Sequence, residues 1–182
     1  MTDSVLVQDW DNATVWAHAA DFSSTNNGLT DTHELDLTSL ADGACRQGTK
    51  ADLGATMAAR YSCYCCFEPN AAPTSNEMIH VYWYSSSDDG LGYASNVSGT
   101  DGLYTGTAGD SLDDSLMQML HIATLICTND ALPQYVMNPL LHADEIGRYG
   151  VPFVYNDCGQ ALNTADANEM FVALVPWVDQ LS

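Results

Sequence analysis

Between Ala55 and Phe67 the chain alternates. Met57, Ala59, Tyr61, Cys63, Cys65 and Phe67 fall on one face of an extended segment; Arg60, Ser62, Tyr64 and Cys66 fall on the other. A side-chain period of two marks a β-strand. The period recurs from Glu77 to Ser85, where Ile79, Val81 and Trp83 oppose Met78, His80, Tyr82 and Tyr84. Both faces of that run are bulky, which predicts a strand covered on both sides. Leu35 and Leu37 alternate with polar residues, and Asp42-Gly43 signals a turn into a polar strand over 44–52. Further strands are read at 117–128, 134–137, 149–156 and 169–178. Pro176 predicts that the last of them ends at, or forms, an edge. No helical pattern of 10–15 residues separates these runs. A parallel α/β sheet is therefore disfavoured, and the expected fold is all-β, an antiparallel β-sandwich with jelly-roll-like character.

Residues 1–34 are rich in Asp, Asn, Ser and Thr and read as an extended N-terminal arm or loosely packed hairpin; residues 35–182 read as the sandwich domain. Residues 85–116 hold six glycines and form a long loop, a length that is usually functional or disordered. Near its end Leu112, Leu116 and Leu120 are four apart, which predicts a helical turn capped by Asp110 or Ser111.

Charge narrows the partners. The chain has 24 acids and four bases, for a net charge of −20. Phosphate backbones are bound mainly through Lys and Arg, so nucleic acid is excluded as a partner, and anionic membranes for the same reason. The N-terminus shows no basic segment followed by an apolar one, and no apolar run approaches the ~20 residues of a membrane span. The expectation is a soluble protein made in a cytoplasm, where a disulfide framework is disfavoured.

The six cysteines give no zinc pattern. Cys63, Cys65 and Cys66 lack a second pair at ligand spacing and read as small buried hydrophobes. His33-Glu34 lacks the second His of a zinc-protease helix, and neither a nucleophile elbow nor a phosphate loop is present. His80 and His121 could meet on adjacent strands, and are read as sheet histidines satisfied by hydrogen bonds. No catalytic, cofactor-binding or metal residues are assigned. Asp88-Asp89-Gly90, and Asp110 with Asp113 and Asp114, offer hard oxygen ligands that would suit Ca²⁺; they are read as solvated loop acids. The aromatic residues Trp10, Trp16, Tyr82, Trp83, Tyr84 and Tyr93 are the candidate partner-binding residues, since aromatics dominate interfaces as they do cores.

The stretch Asp42-Gly43-Ala44-Cys45-Arg46-Gln47-Gly48-Thr49-Lys50-Ala51-Asp52-Leu53-Gly54 resembles small structural proteins encoded beside head genes in tailed bacteriophages, in which a DGxxRQSxxxDLG segment opens the domain. Val81-Tyr82-Trp83, Gly99-Thr100-Asp101 with Tyr104, Leu120-His121-Ile122, and Arg148-Tyr149-Gly150 before Val-Pro-Phe-Val fit the same group, as does the closing segment through Pro176-Trp177-Val178-Asp179. The resemblance covers residues 40–181 and departs at Cys45, at Gly48 and in the acidic excess. It implies a virion component with no catalytic residues. The expected function is a non-enzymatic capsid decoration (cement) protein on the particle exterior. It would be a homotrimer, clamping the major capsid protein through residues 1–40 and the long loop. The alternative is a carbohydrate- or receptor-binding module of the tail or fibre that uses Trp83 and nearby Tyr; a hydrolase of unknown type ranks last.

Overall fold

A computed structural model describes residues 4–20, 22, 28–86, 96–108, 110–164 and 169–181. Its strands are β1 (Ser4–Gln8), β2 (Thr14–Ala17), β3 (His33–Glu34), β4 (Ala44–Gln47), β5 (Ala51–Asp52), β6 (Arg60–Phe67), β7 (Met78–Ser86), β8 (Gly102–Tyr104), β9 (Leu120–Ile126), β10 (Gln134–His142), β11 (Tyr149–Asp157) and β12 (Phe171–Leu181). Two short helices, α1 (Leu112–Leu116) and α2 (Ala143–Ile146), and one 3₁₀ turn, Trp10–Asn12, complete the regular structure. Sheet A runs β10-β6-β12-β2-β3, with β1 also on β12; sheet B runs β8-β4-β11-β7-β9, with β5 also on β11. All pairings are antiparallel except β2 with β3. The fold is an all-β sandwich, as the alternation predicts.

The inward faces follow the period of two. Tyr61, Cys63, Cys65 and Phe67 of β6 meet Ile79, Val81 and Trp83 of β7 across the core, with Trp16, Ile122 and Leu174. Trp83 stands edge-on to Trp16, ring centroids 5.5 Å apart, and its indole N–H donates to the Ile146 carbonyl at 2.6 Å. The ring lies directly over Gly150 of β11, where any Cβ would sit 2.1 Å from it. Glycine is required there by close approach. Ser111 caps α1 as the spacing predicts, accepting the Asp114 N–H at 3.1 Å.

Four expectations are corrected. Residues 4–17 do not form an arm or a hairpin: β1 and β2 each pair with β12, and Trp16 is fully buried. Its indole N–H donates to the Thr49 carbonyl at 2.8 Å, which fixes the ring as a core anchor. The strand expected over 44–52 is two strands, broken at Thr49 and Lys50, whose N–H groups turn from β11 to the carbonyls of Glu34 (2.8 Å) and Gly99 (2.9 Å). The third concerns β10, which runs past Met137 to His142 through a register shift between Asn138 and Leu141.

The fourth is Pro176, which lies inside β12, a central strand. On one side β12 pairs with β2 through Phe171–Leu174 and with β1 from Trp177 onward, so Val175 and Pro176 face the junction between the two. The Pro176 carbonyl accepts the Asp9 N–H there (2.8 Å), and no ladder bond is lost for want of a Pro N–H. Pro152 repeats the device in β11, at the junction between β4 and β5.

Candidate partner-binding face

The outward faces of the two sheets differ. On sheet B, Val97, Tyr104, Leu116 and Met119 cover Cys45, Val151 and Phe153, with Tyr82, Tyr84 and Tyr155 packed at the margin. Beyond that cover, His80 and His121 sit on adjacent strands, ring centroids 5.6 Å apart. The Thr124 hydroxyl lies 3.0 Å from His80 Nδ1 and 2.7 Å from His121 Nε2. One hydroxyl proton can be donated to only one imidazole, so the other imidazole donates to the oxygen. Burial lowers both imidazole pKa values, and His121 lowers that of His80 further. Among the described residues, no three His, Cys, Asp or Glu side chains converge as a metal site.

On sheet A the outward face keeps aromatic and apolar groups in contact with water. Trp10 is 41% exposed, Tyr135 61% and Met137 49%. The half-buried Tyr64 lies beside Trp10 and opposite Met137, and the half-buried Trp177 lies farther along the same face, opposite Arg60. Trp10 packs on Tyr64 with centroids 4.5 Å apart. A hydrogen-bonded set fixes this floor: Tyr64 Oη donates to Gln8 Oε1 (2.9 Å), while Gln8 Nε2 (3.1 Å) and Trp177 Nε1 (2.9 Å) both donate to Ser62 Oγ. Tyr64, Tyr135, Met137 and Phe171 line a shallow groove of about 330 Å³. At the end of the sandwich a larger cleft, about 500 Å³, opens between β1 and residues 53–59, lined by Leu6, Asp9, Met57, Tyr61 and Val178 among others. A rigid strip of aromatic and apolar side chains with polar groups at their rims is what protein interfaces are built from.

The expected partner-binding residues separate accordingly. Trp10 alone reaches this face. Trp16 and Trp83 are 0% and 1% exposed and can touch no partner. Tyr82 and Tyr84 pack under the 96–119 segment, and Tyr93 lies outside the described residues, as do Asp88 and Asp89. Asp113 and Asp114 sit in the first turn of α1, where Asp114 accepts the Ser111 hydroxyl. Sequence reasoning missed Gln8, Ser62, Tyr64, Tyr135, Met137 and Trp177. The alternation of β6 does place Tyr64 opposite the core residues; only the strand order shows which outward residues meet.

The cysteine side chains lie within the fold. All six are free and buried. Cys63 and Cys65 share the inward face with sulfurs 3.5 Å apart, and Cys66 points outward, as expected of a strand. Burial raises the Cys45 and Cys65 thiols and pushes Cys66 up to about 12, which disfavours the thiolate needed for nucleophilic or ligand chemistry.

The segments that carry the phage resemblance bond to one another. Arg46 Nε donates to Asp101 (2.9 Å), and its guanidinium also approaches Asp36 (3.6 Å). Gln47 accepts the Ser98 N–H (3.0 Å), and Asp42 accepts that of Gly159 (2.8 Å). Arg148 donates twice to Asp52, both at 2.7 Å, and holds that carboxyl down at about 2. A search of protein-family models and of curated proteins finds no match to this chain.

Proposed function

We propose that this chain is a non-enzymatic structural protein of a tailed-phage particle, a capsid decoration protein that docks on the major capsid protein through the outward face of sheet A. The observation that carries this reading is the exposed strip Trp10–Tyr64–Met137–Tyr135, held flat by Gln8, Ser62 and Trp177. The resemblance supports the setting. Its motif residues Arg46, Gln47, Asp52, Asp101 and Arg148 hydrogen-bond segments of the fold to one another. A particle presents many equivalent sites, so a modest strip per copy suffices when copies also hold each other.

The test is binding of purified protein to shells lacking it. Trp10→Ala is expected to weaken binding by ~30-fold or more, the ~2 kcal/mol typical of a buried aromatic anchor. Binding unchanged by Trp10→Ala and Met137→Ala together would refute docking on this face. The tail or fibre alternative requires sugar binding. Trp83 cannot serve, because it is buried, and a glycan screen that Trp10→Ala abolishes would make that alternative the better reading.

A further inference from the structure

Strand β9 breaks its own alternation. Thr124 pairs with His80 and Ala123 with Val81, but the next pairing skips Ile122 and sets His121 opposite Tyr82. Ile122 and Ala123, although consecutive, both lie in the core. The skipped residue is a β-bulge, and it is held from the other sheet, where the Asn138 side-chain amide donates to the Ile122 carbonyl at 2.6 Å. Strict alternation would group His121 with Ala123, facing inward. The bulge re-aims it to the outward face, beside Thr124 and His80.

The result is a convergence of ligand atoms. His80 Nδ1 and His121 Nε2 are directed at one point, the Thr124 hydroxyl oxygen, from 3.0 and 2.7 Å. We propose that the two imidazoles and this hydroxyl form a site for a single divalent transition cation of the zinc type, with water in its remaining positions. Imidazole nitrogen suits Zn²⁺ and its neighbours in the series, whereas Ca²⁺ takes oxygen ligands. Each nitrogen would close on the ion to the ~2.0–2.1 Å of a Zn–N bond. His121 is exposed and His80 half-buried, so the site is open to water on its outer side. Burial favours the neutral rings, whose lone pairs the ion needs, and Asp157 favours positive charge at His80. The bound ion would pin β9, the edge strand of sheet B, to β7. The site lies on the opposite sheet from the docking strip and does not depend on it.

Calorimetric titration of the full chain with ZnCl₂ tests the site, with a Kd below ~100 μM expected. His80→Asn and His121→Asn should each raise Kd at least about tenfold. His18→Asn, at the separate His18–Glu34 pair, should leave it unchanged. A second readout needs no substitution: in ¹⁵N spectra of the histidine rings, Zn²⁺ should shift His80 and His121 together. Excess Ca²⁺ should not displace it. A Kd above ~100 μM, binding that either imidazole variant leaves intact, binding lost in His18→Asn, ring shifts confined to the other histidines, or displacement by Ca²⁺ would each overturn the proposal.

Discussion

Gly150→Ala isolates the contact on which the core of sheet B is built. The added methyl would lie 2.1, 2.3 and 2.6 Å from Cζ2, Cε2 and Nε1 of Trp83. The indole cannot swing clear: it is fully buried, edge-on to Trp16, and tied through Nε1 to the Ile146 carbonyl. Relief must come from moving β11 or from breaking that hydrogen bond. Overpacking costs ~1–3 kcal/mol and a lost buried hydrogen bond ~1 kcal/mol more, so the variant should lose ~2–4 kcal/mol. With a urea m-value of ~2 kcal/mol/M, the midpoint should fall by ~1–2 M with m unchanged. The decisive measurement is the same substitution in a Trp83→Leu background. With the ring gone, the added methyl has room, and the cost should shrink to below ~1 kcal/mol, giving a coupling of ~2 kcal/mol. An equal cost in both backgrounds would refute this reasoning, because the destabilisation would then come from the backbone at position 150 and not from the indole.

Two further outcomes follow from the buried polar groups and the titrating side chains. Asn156 is fully buried; its amide donates to the carbonyls of Leu40 (2.9 Å) and Gln160 (2.8 Å), and its oxygen accepts the Cys158 N–H (3.3 Å). Asn156→Ala strands three backbone groups and should cost ~3 kcal/mol in urea unfolding. Acid should destabilise the fold in two windows. His80 and His121 have lowered pKa values in the folded state, so below ~6.5 the unfolded chain takes up protons that the fold does not, and stability falls as pH falls. A His80→Asn/His121→Asn variant should flatten that slope. The Arg148-bound Asp52 contributes above ~4, and its contribution is lost as pH falls from there toward about 2; Asp52→Asn should flatten only this lower window.

What could be read from the sequence was whatever depends on neighbours along the chain. The period of two assigned the inward residues of β6 and β7, and the four-residue leucine spacing with a serine before it located α1. What depends on strand order could not be read. Pro176 argued for an edge because a proline cannot donate to a neighbouring strand, yet the neighbour changes from β2 to β1 at that residue and no donor is needed. Trp16, near a polar terminus, reads as a packing anchor, but only strand order shows that β2 inserts beside β12 and carries it to the centre. The docking strip is the same case. Tyr64, Tyr135 and Trp177 belong to three strands that are distant in sequence and adjacent only in sheet A.

The distribution of charge then gives the apolar surface its meaning. Two of the four bases are already held: Arg46 by Asp101 and Asp36, Arg148 by Asp52. Most of the 24 acids therefore remain uncompensated, and at moderate salt the field they create extends about one Debye length, ~10 Å, from the surface. A field of one sign steers basic partners in and keeps copies of the chain apart. It does not by itself fix orientation. Orientation falls to the apolar and aromatic groups that reach water, namely Trp10, Tyr135 and Met137 on the outward face of sheet A. Raising salt should therefore slow capture by a basic partner surface while leaving the contacts of the apolar groups in place. Were the rate of particle binding insensitive to salt, this division between steering acids and orienting apolar groups would fail.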